Sequence, residues 1–160
     1  MKASRFALTV ILMLAVGTTA ASAQTATQTV TFAVTAVNTI SFTGAPSLSV
    51  TPAAVGSSDA SVSDATSTWA VTTNQSLAKV SAQINLAMPA NVTLKANLQA
   101  PTVGLSNGAV TLGITSVDLV TGITKQAQSG LTATYVLTAT AAADPVSSNR
   151  VVTYTISGGS

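Results

Sequence analysis

Leu131-Thr132-Ala133-Thr134-Tyr135-Val136-Leu137-Thr138-Ala139 alternates along its whole length. Leu131, Ala133, Tyr135, Leu137 and Ala139 fall on one side; Thr132, Thr134, Val136 and Thr138 fall on the other. Successive side chains of an extended backbone point to opposite faces, so a period of two marks a strand with one buried face. Val and Thr suit such a pleated surface. A helix would need apolar residues at i, i+3, i+4 and i+7, and no stretch after residue 23 carries that spacing.

The same alternation recurs on both sides of this stretch. In Thr29–Val37, Val30, Phe32, Val34 and Ala36 share one face, opposite Thr29, Thr31, Ala33 and Thr35. In Arg150–Ser157, Val152, Tyr154 and Ile156 lie opposite Val151, Thr153 and Thr155. Shorter candidates are Ile40/Phe42, Leu48/Val50 and Thr68–Thr73, then Lys79–Ala87, Asn91–Gln99 and Ala109–Thr115. Val117–Val120 and Ile123–Gln126 are weaker. Turn residues separate them: Gly44-Ala45-Pro46, Thr121-Gly122, Ser129-Gly130 and Asp144-Pro145. Met88-Pro89-Ala90-Asn91 reads as a hairpin loop. Ser106-Asn107-Gly108 carries the Asn-Gly pair suited to a tight hairpin. Residues 53–66, rich in Ala, Ser and Asp, read as a long polar loop. About nine to ten short strands at this spacing predict an all-β fold, an immunoglobulin-like Greek-key β-sandwich, with a small barrel as the alternative.

The start of the chain predicts export. Lys2 and Arg5 precede an apolar run, Phe6–Val16, broken only by Thr9, and Ala21-Ser22-Ala23 follows. That order is the layout of a secretory signal peptide, cleaved after Ala23. Residues 1–23 are therefore the expected leader and residues 24–160 a single domain. A run this short cannot cross a bilayer, which takes about 20 residues, so no membrane span is expected after cleavage. The chain has no cysteine for lipid attachment, and Ser157-Gly158-Gly159-Ser160 offers no sorting signal. Export without disulfides suits a bacterial or archaeal protein, secreted or held at the cell surface.

After Ala23 the charges are Lys79, Lys95, Lys125 and Arg150 against Asp59, Asp64, Asp118 and Asp144. They cancel, and four scattered cations make no basic patch, so nucleic acid is not an expected partner. Low charge also removes the self-repulsion that keeps many proteins apart, which favours self-association or contact with other surface proteins. Ala, Ser and Thr dominate, yet Val, Ile and Leu recur throughout, unlike a disordered stalk.

Little in the chain can do chemistry. It has no His, no Cys and no Glu, which rules out Ser–His–Asp and Cys–His arrangements and leaves zinc without its usual ligands. Ser76-Leu77-Ala78-Lys79 has Ser-x-x-Lys spacing, a match frequent by chance. No catalytic residue and no cofactor is expected. Asp59 and Asp64 could offer carboxylates to calcium, but two are few for an ion that takes six to eight oxygens; the competing reading is a solvated loop. A Lys–Asn cross-link of the adhesin type would want a neighbouring Glu. Asn74-Gln75-Ser76 and Asn91-Val92-Thr93 match the glycosylation acceptor pattern, without meaning in a prokaryote. Trp69 alternates with Val71, which places it between two sheets; an exposed platform for sugar is the other reading. Tyr135 and Tyr154 read as core residues with hydroxyls at the rim.

Two roles fit a charge-poor sandwich outside the cell: a structural subunit of a fibre, pilus or coat, or a binding module for glycan or protein. The segment from Thr25 to Val37 favours the first. It stands beside the cleavage site, alternates strictly, and no charge appears between Gln24 and Val55. Such a strand can complete a neighbour's sheet through main-chain hydrogen bonds, with alternate side chains filling a groove; it can equally be the first strand of its own domain. With the Ala-Ser-Ala cut, the Thr29–Thr35 alternation and the Val152/Tyr154/Ile156 strand, the chain resembles secreted fibre-subunit and pilin-like β-sandwiches of bacterial and archaeal surfaces. The paired cysteines common in chaperone-assembled pilins are missing. That resemblance implies head-to-tail polymers in which Val30, Phe32, Val34 and Ala36 are the plug residues of the donated strand.

Overall fold

A computed structural model describes residues 23–51 and 56–159. The expected leader therefore lies almost wholly outside the described residues. Two units are distinguished, dividing between Ala33 and Val34. Of the first, residues 23–33 are described, and they carry neither strand nor helix. Among its described residues the second holds nine strands: β1 (Asn38–Thr43), β2 (Asp59–Thr73), β3 (Ala78–Ile84), β4 (Val92–Leu98), β5 (Leu105–Ser106), β6 (Val110–Thr111), β7 (Val117–Ile123), β8 (Gln126–Thr140) and β9 (Val152–Ser157). No helix occurs among the described residues.

The strands form two antiparallel sheets, ordered β1-β2-β8-β4-β6 and β5-β7-β3-β9. The arrangement is sandwich-like: one core draws from both, with Trp69, Leu98 and Leu131 from the first and Val80, Ile84, Leu119 and Ile123 from the second, all 1% exposed or less. Alternation put them there. Along β3, Ala78, Val80, Ala82 and Ile84 are buried while Lys79 and Gln83 are exposed.

Several expectations are corrected. Residues 59–66 are not loop. They open β2, a strand of fifteen residues paired along its length with β8. Their inward positions carry only Ala60, Val62 and Asp64, so the apolar signal was weak, and pairing with the second half of β8 overrode it. No strand forms at Leu48/Val50, although Leu48 packs on the core. None forms over Thr29–Val37 either. Met88–Asn91 joins β3 to β4, and Ser106–Gly108 leads from β5 towards β6; each pair lies in different sheets, so both links are crossovers and not hairpins.

Gly122 and Gly130 do not break strands. Each sits inside one, at a φ of 70°. Trp69 stands opposite Leu131 and Val71 opposite Gln128, so Ser129 and Gly130 together face one residue of β2. Thr121 and Gly122 likewise face one residue of β3. These are β-bulges, where a glycine without a Cβ takes the left-handed conformation and adds local twist.

Candidate functional site

β1 and β9 are the outer strands of their sheets on the same flank of the molecule. An aromatic stack joins them. The rings of Phe42 and Tyr154 lie 3.8 Å apart at 18°, and Phe42 also stacks on Trp69 at 6.1 Å. The Tyr135 and Tyr154 hydroxyls are 2.6 Å apart, a hydrogen bond from sheet to sheet. Both phenols are held protonated. For Tyr135, burial raises the pKa first, partly opposed by the Tyr154 hydrogen bond. Burial also drives Tyr154 strongly upward, and there the bond to Tyr135 adds to it. The reading of these tyrosines as core residues with rim hydroxyls thus describes their placement.

Beyond the stack the flank opens. A groove of about 700 Å³ runs between the sheets, lined by Phe42, Leu48, Met88, Leu137, Val152 and Tyr154. A second hollow shares Leu48, Met88 and Leu137 with it and continues over Val92 and Ala139. The reason is a mismatch of length: β8 runs fifteen residues and β9 only six. The far half of β2–β8–β4 therefore extends past the cover of the second sheet. Among the described residues Arg150 is the one charged side chain bordering this groove, and its guanidinium donates to the Ala87 carbonyl and to Ser148 Oγ.

The segment before β1 is tied down only at its last residues. Asn74 Oδ1 accepts from the Val37 amide at 2.8 Å, Asn74 Nδ2 donates to the Thr35 carbonyl at 2.7 Å, and the Asn74 amide donates to the Val37 carbonyl. Upstream, Val30, Phe32 and Val34 are 75%, 84% and 82% exposed, and Ala36 is exposed too. Single apolar side chains at a surface are ordinary. A charge-free row at alternate positions, paired with no strand among the described residues, is not.

The remaining candidates separate. Trp69 is 1% exposed, so it is a core residue and no platform for sugar. Its indole nitrogen and the nearby Ser67 hydroxyl are buried without a hydrogen-bond partner among the described residues. Asp59 and Asp64 lie five positions apart along β2, on opposite faces. The Asp64 carboxylate accepts from the Thr66 hydroxyl and amide and from the Ser47 amide, which together hold its pKa below the ordinary carboxylate value. No group of three or more metal-ligating side chains occurs among the described residues. Lys79 pairs instead with Asp118 at 3.0 Å. No helix among the described residues is long and apolar enough to cross a membrane. Sequence reading missed the groove, because an open flank depends on which strand ends up at a sheet edge. No protein-family model, curated protein or solved structure matches this chain.

Proposed function

We propose that this protein is a secreted, non-catalytic structural subunit of a prokaryotic cell exterior, which assembles into fibres by donating its N-terminal strand. The observation that carries the reading is the row Val30, Phe32 and Val34, alternating, uncharged and exposed in a segment that pairs with no strand of the described chain. Burying such a side chain is worth about 1.5–3 kcal/mol, so leaving three in water is costly unless a partner covers them. With Ala36, they are the plug residues.

The finer fold reading points the same way. We infer an immunoglobulin-like Greek key. The neighbours β1-β2-β8-β4 correspond to the A-B-E-D sheet of such sandwiches, and β3-β9 to C and F. In that scheme a last strand stands beside F. Here β9 is an edge. A fold one strand short and a chain with one strand unplaced are complementary.

The test is Phe32→Asp in the mature chain, residues 24–160. Phe32 is exposed, so the monomer should melt within about 0.5 kcal/mol of the parent, as surface substitutions do. The parent should form polymers in negative-stain images and the variant should not. A parent that stays monomeric at every concentration, or a variant that polymerises equally well, would remove the reading.

A further inference from the structure

Resting on the strand-donation reading, we propose that the acceptor is the free edge of β9 in a second copy, which takes residues 30–34 antiparallel to β9, so that subunits join head to tail in an open chain.

The hydrogen-bond phase of β9 makes its outer edge usable. The Asn85 amide donates to the Val151 carbonyl, whereas the Ile84 amide donates the other way, to Gly113. In an antiparallel ladder these directions alternate residue by residue. Thr153, Thr155 and Ser157 therefore bond to β3, and the backbone groups of Val152, Tyr154 and Ile156 point to the free edge. The same three residues are half-buried on the inner face, while Val151, Thr153 and Thr155 are exposed. An incoming strand would thus find main-chain partners where its inward side chains meet apolar neighbours. Opposing Val30 to Ile156, Phe32 to Tyr154 and Val34 to Val152 uses all three on each side.

The direction follows from where the two features lie. The donor leaves its own body at Asn38, which pairs with Thr73 at the finish of β2 and lies against Gly158 just past β9. The groove opens at the opposite end, around Leu48, Met88 and Val152, near the finish of β8. A donor body seated at that open end sends its strand back along β9, against its direction. Exit and acceptor at opposite ends make a heterologous, head-to-tail contact, unlike the self-complementary contact of a two-fold dimer. A second copy is the occupant these features support: the chain itself carries an uncharged, alternating segment that pairs with no strand among the described residues, matching a groove whose bordering cation, Arg150, already donates to the Ala87 carbonyl.

The chain has no cysteine, so introduced pairs report cleanly. Single variants Ala33→Cys and Thr29→Cys would each be mixed with Thr153→Cys or Ser157→Cys, polymerised, and oxidised. Antiparallel insertion predicts disulfide dimers for 33 with 153 and for 29 with 157. Parallel insertion predicts the crossed pairs, 29 with 153 and 33 with 157. Polymers with the crossed pattern, or polymers with no cross-link to β9, would overturn the acceptor assignment and leave strand donation standing. The double variant Ala33→Cys/Thr153→Cys is the control for pairing within one chain. If it closes as a monomer, both this inference and the fibre reading fail, as they do if no polymer forms at all.

Discussion

The pair of phenols at the core rim is the most informative residue-scale feature. Tyr135 and Tyr154 bridge the sheets by one hydrogen bond, and both hydroxyls are shifted towards the protonated form. Because the folded pKa is raised in each, the folded state holds its protons longer than the unfolded chain does. Stability from this pair is complete below about pH 10, where unfolded tyrosine ionises, and falls as pH rises beyond it. Tyr154→Phe should cost about 1 kcal/mol at neutral pH, a typical net hydrogen bond, and should flatten the alkaline loss; denaturant melts at pH 7 and pH 11 would measure both. An equal alkaline loss in the variant would show that other groups cause it. Both tyrosines were legible as inward-facing from alternation alone. Their contact was not, because sequence gives the face of each strand and not which strands oppose one another across the core.

At the scale of elements, alternation located β1, β3, β4 and β9, and it misjudged those whose pairing depends on distant partners. The first half of β2 reads as loop because Ser and Asp dominate Asp59–Asp64, yet it pairs with β8 from Asp59 opposite Thr140. Thr29–Val37 reads as the cleanest strand of all, yet no strand forms there among the described residues, and Asn74 holds only Thr35 and Val37. Gly122 and Gly130 read as stops and are bulges, since a lone glycine suits either and only the register decides. Asn74 ties the residues just before β1 to the end of β2, through its contacts with Thr35 and Val37. Asn74→Ala should leave the core intact and lower stability by about 1–2 kcal/mol, as the loss of two hydrogen bonds suggests. It should also let the segment leave β1 at variable angles, so polymers should be more curved in negative-stain images. Straight polymers from the variant would mean that Asn74 does not set the exit.

For the whole molecule, the two sheets, one core and an open flank form a body whose last strand is an edge. Natural proteins guard such edges, because unpaired backbone invites another strand. The edge of β9 has neither a charged nor a proline residue from Val151 to Ser157, which fits an edge meant to be used. The candidate site was half legible: the alternating row Val30, Phe32, Val34 and Ala36 stands out in the sequence, and the groove and the edge required the topology. Amide hydrogen exchange at Val152, Tyr154 and Ile156 tests the central claim most directly, comparing polymer with the Phe32→Asp monomer. Strand donation predicts fast exchange at these three amides in the monomer and slow exchange in the polymer, with Thr153 and Thr155, bonded to β3, protected in both. Equal protection of Val152, Tyr154 and Ile156 in the two states would contradict it.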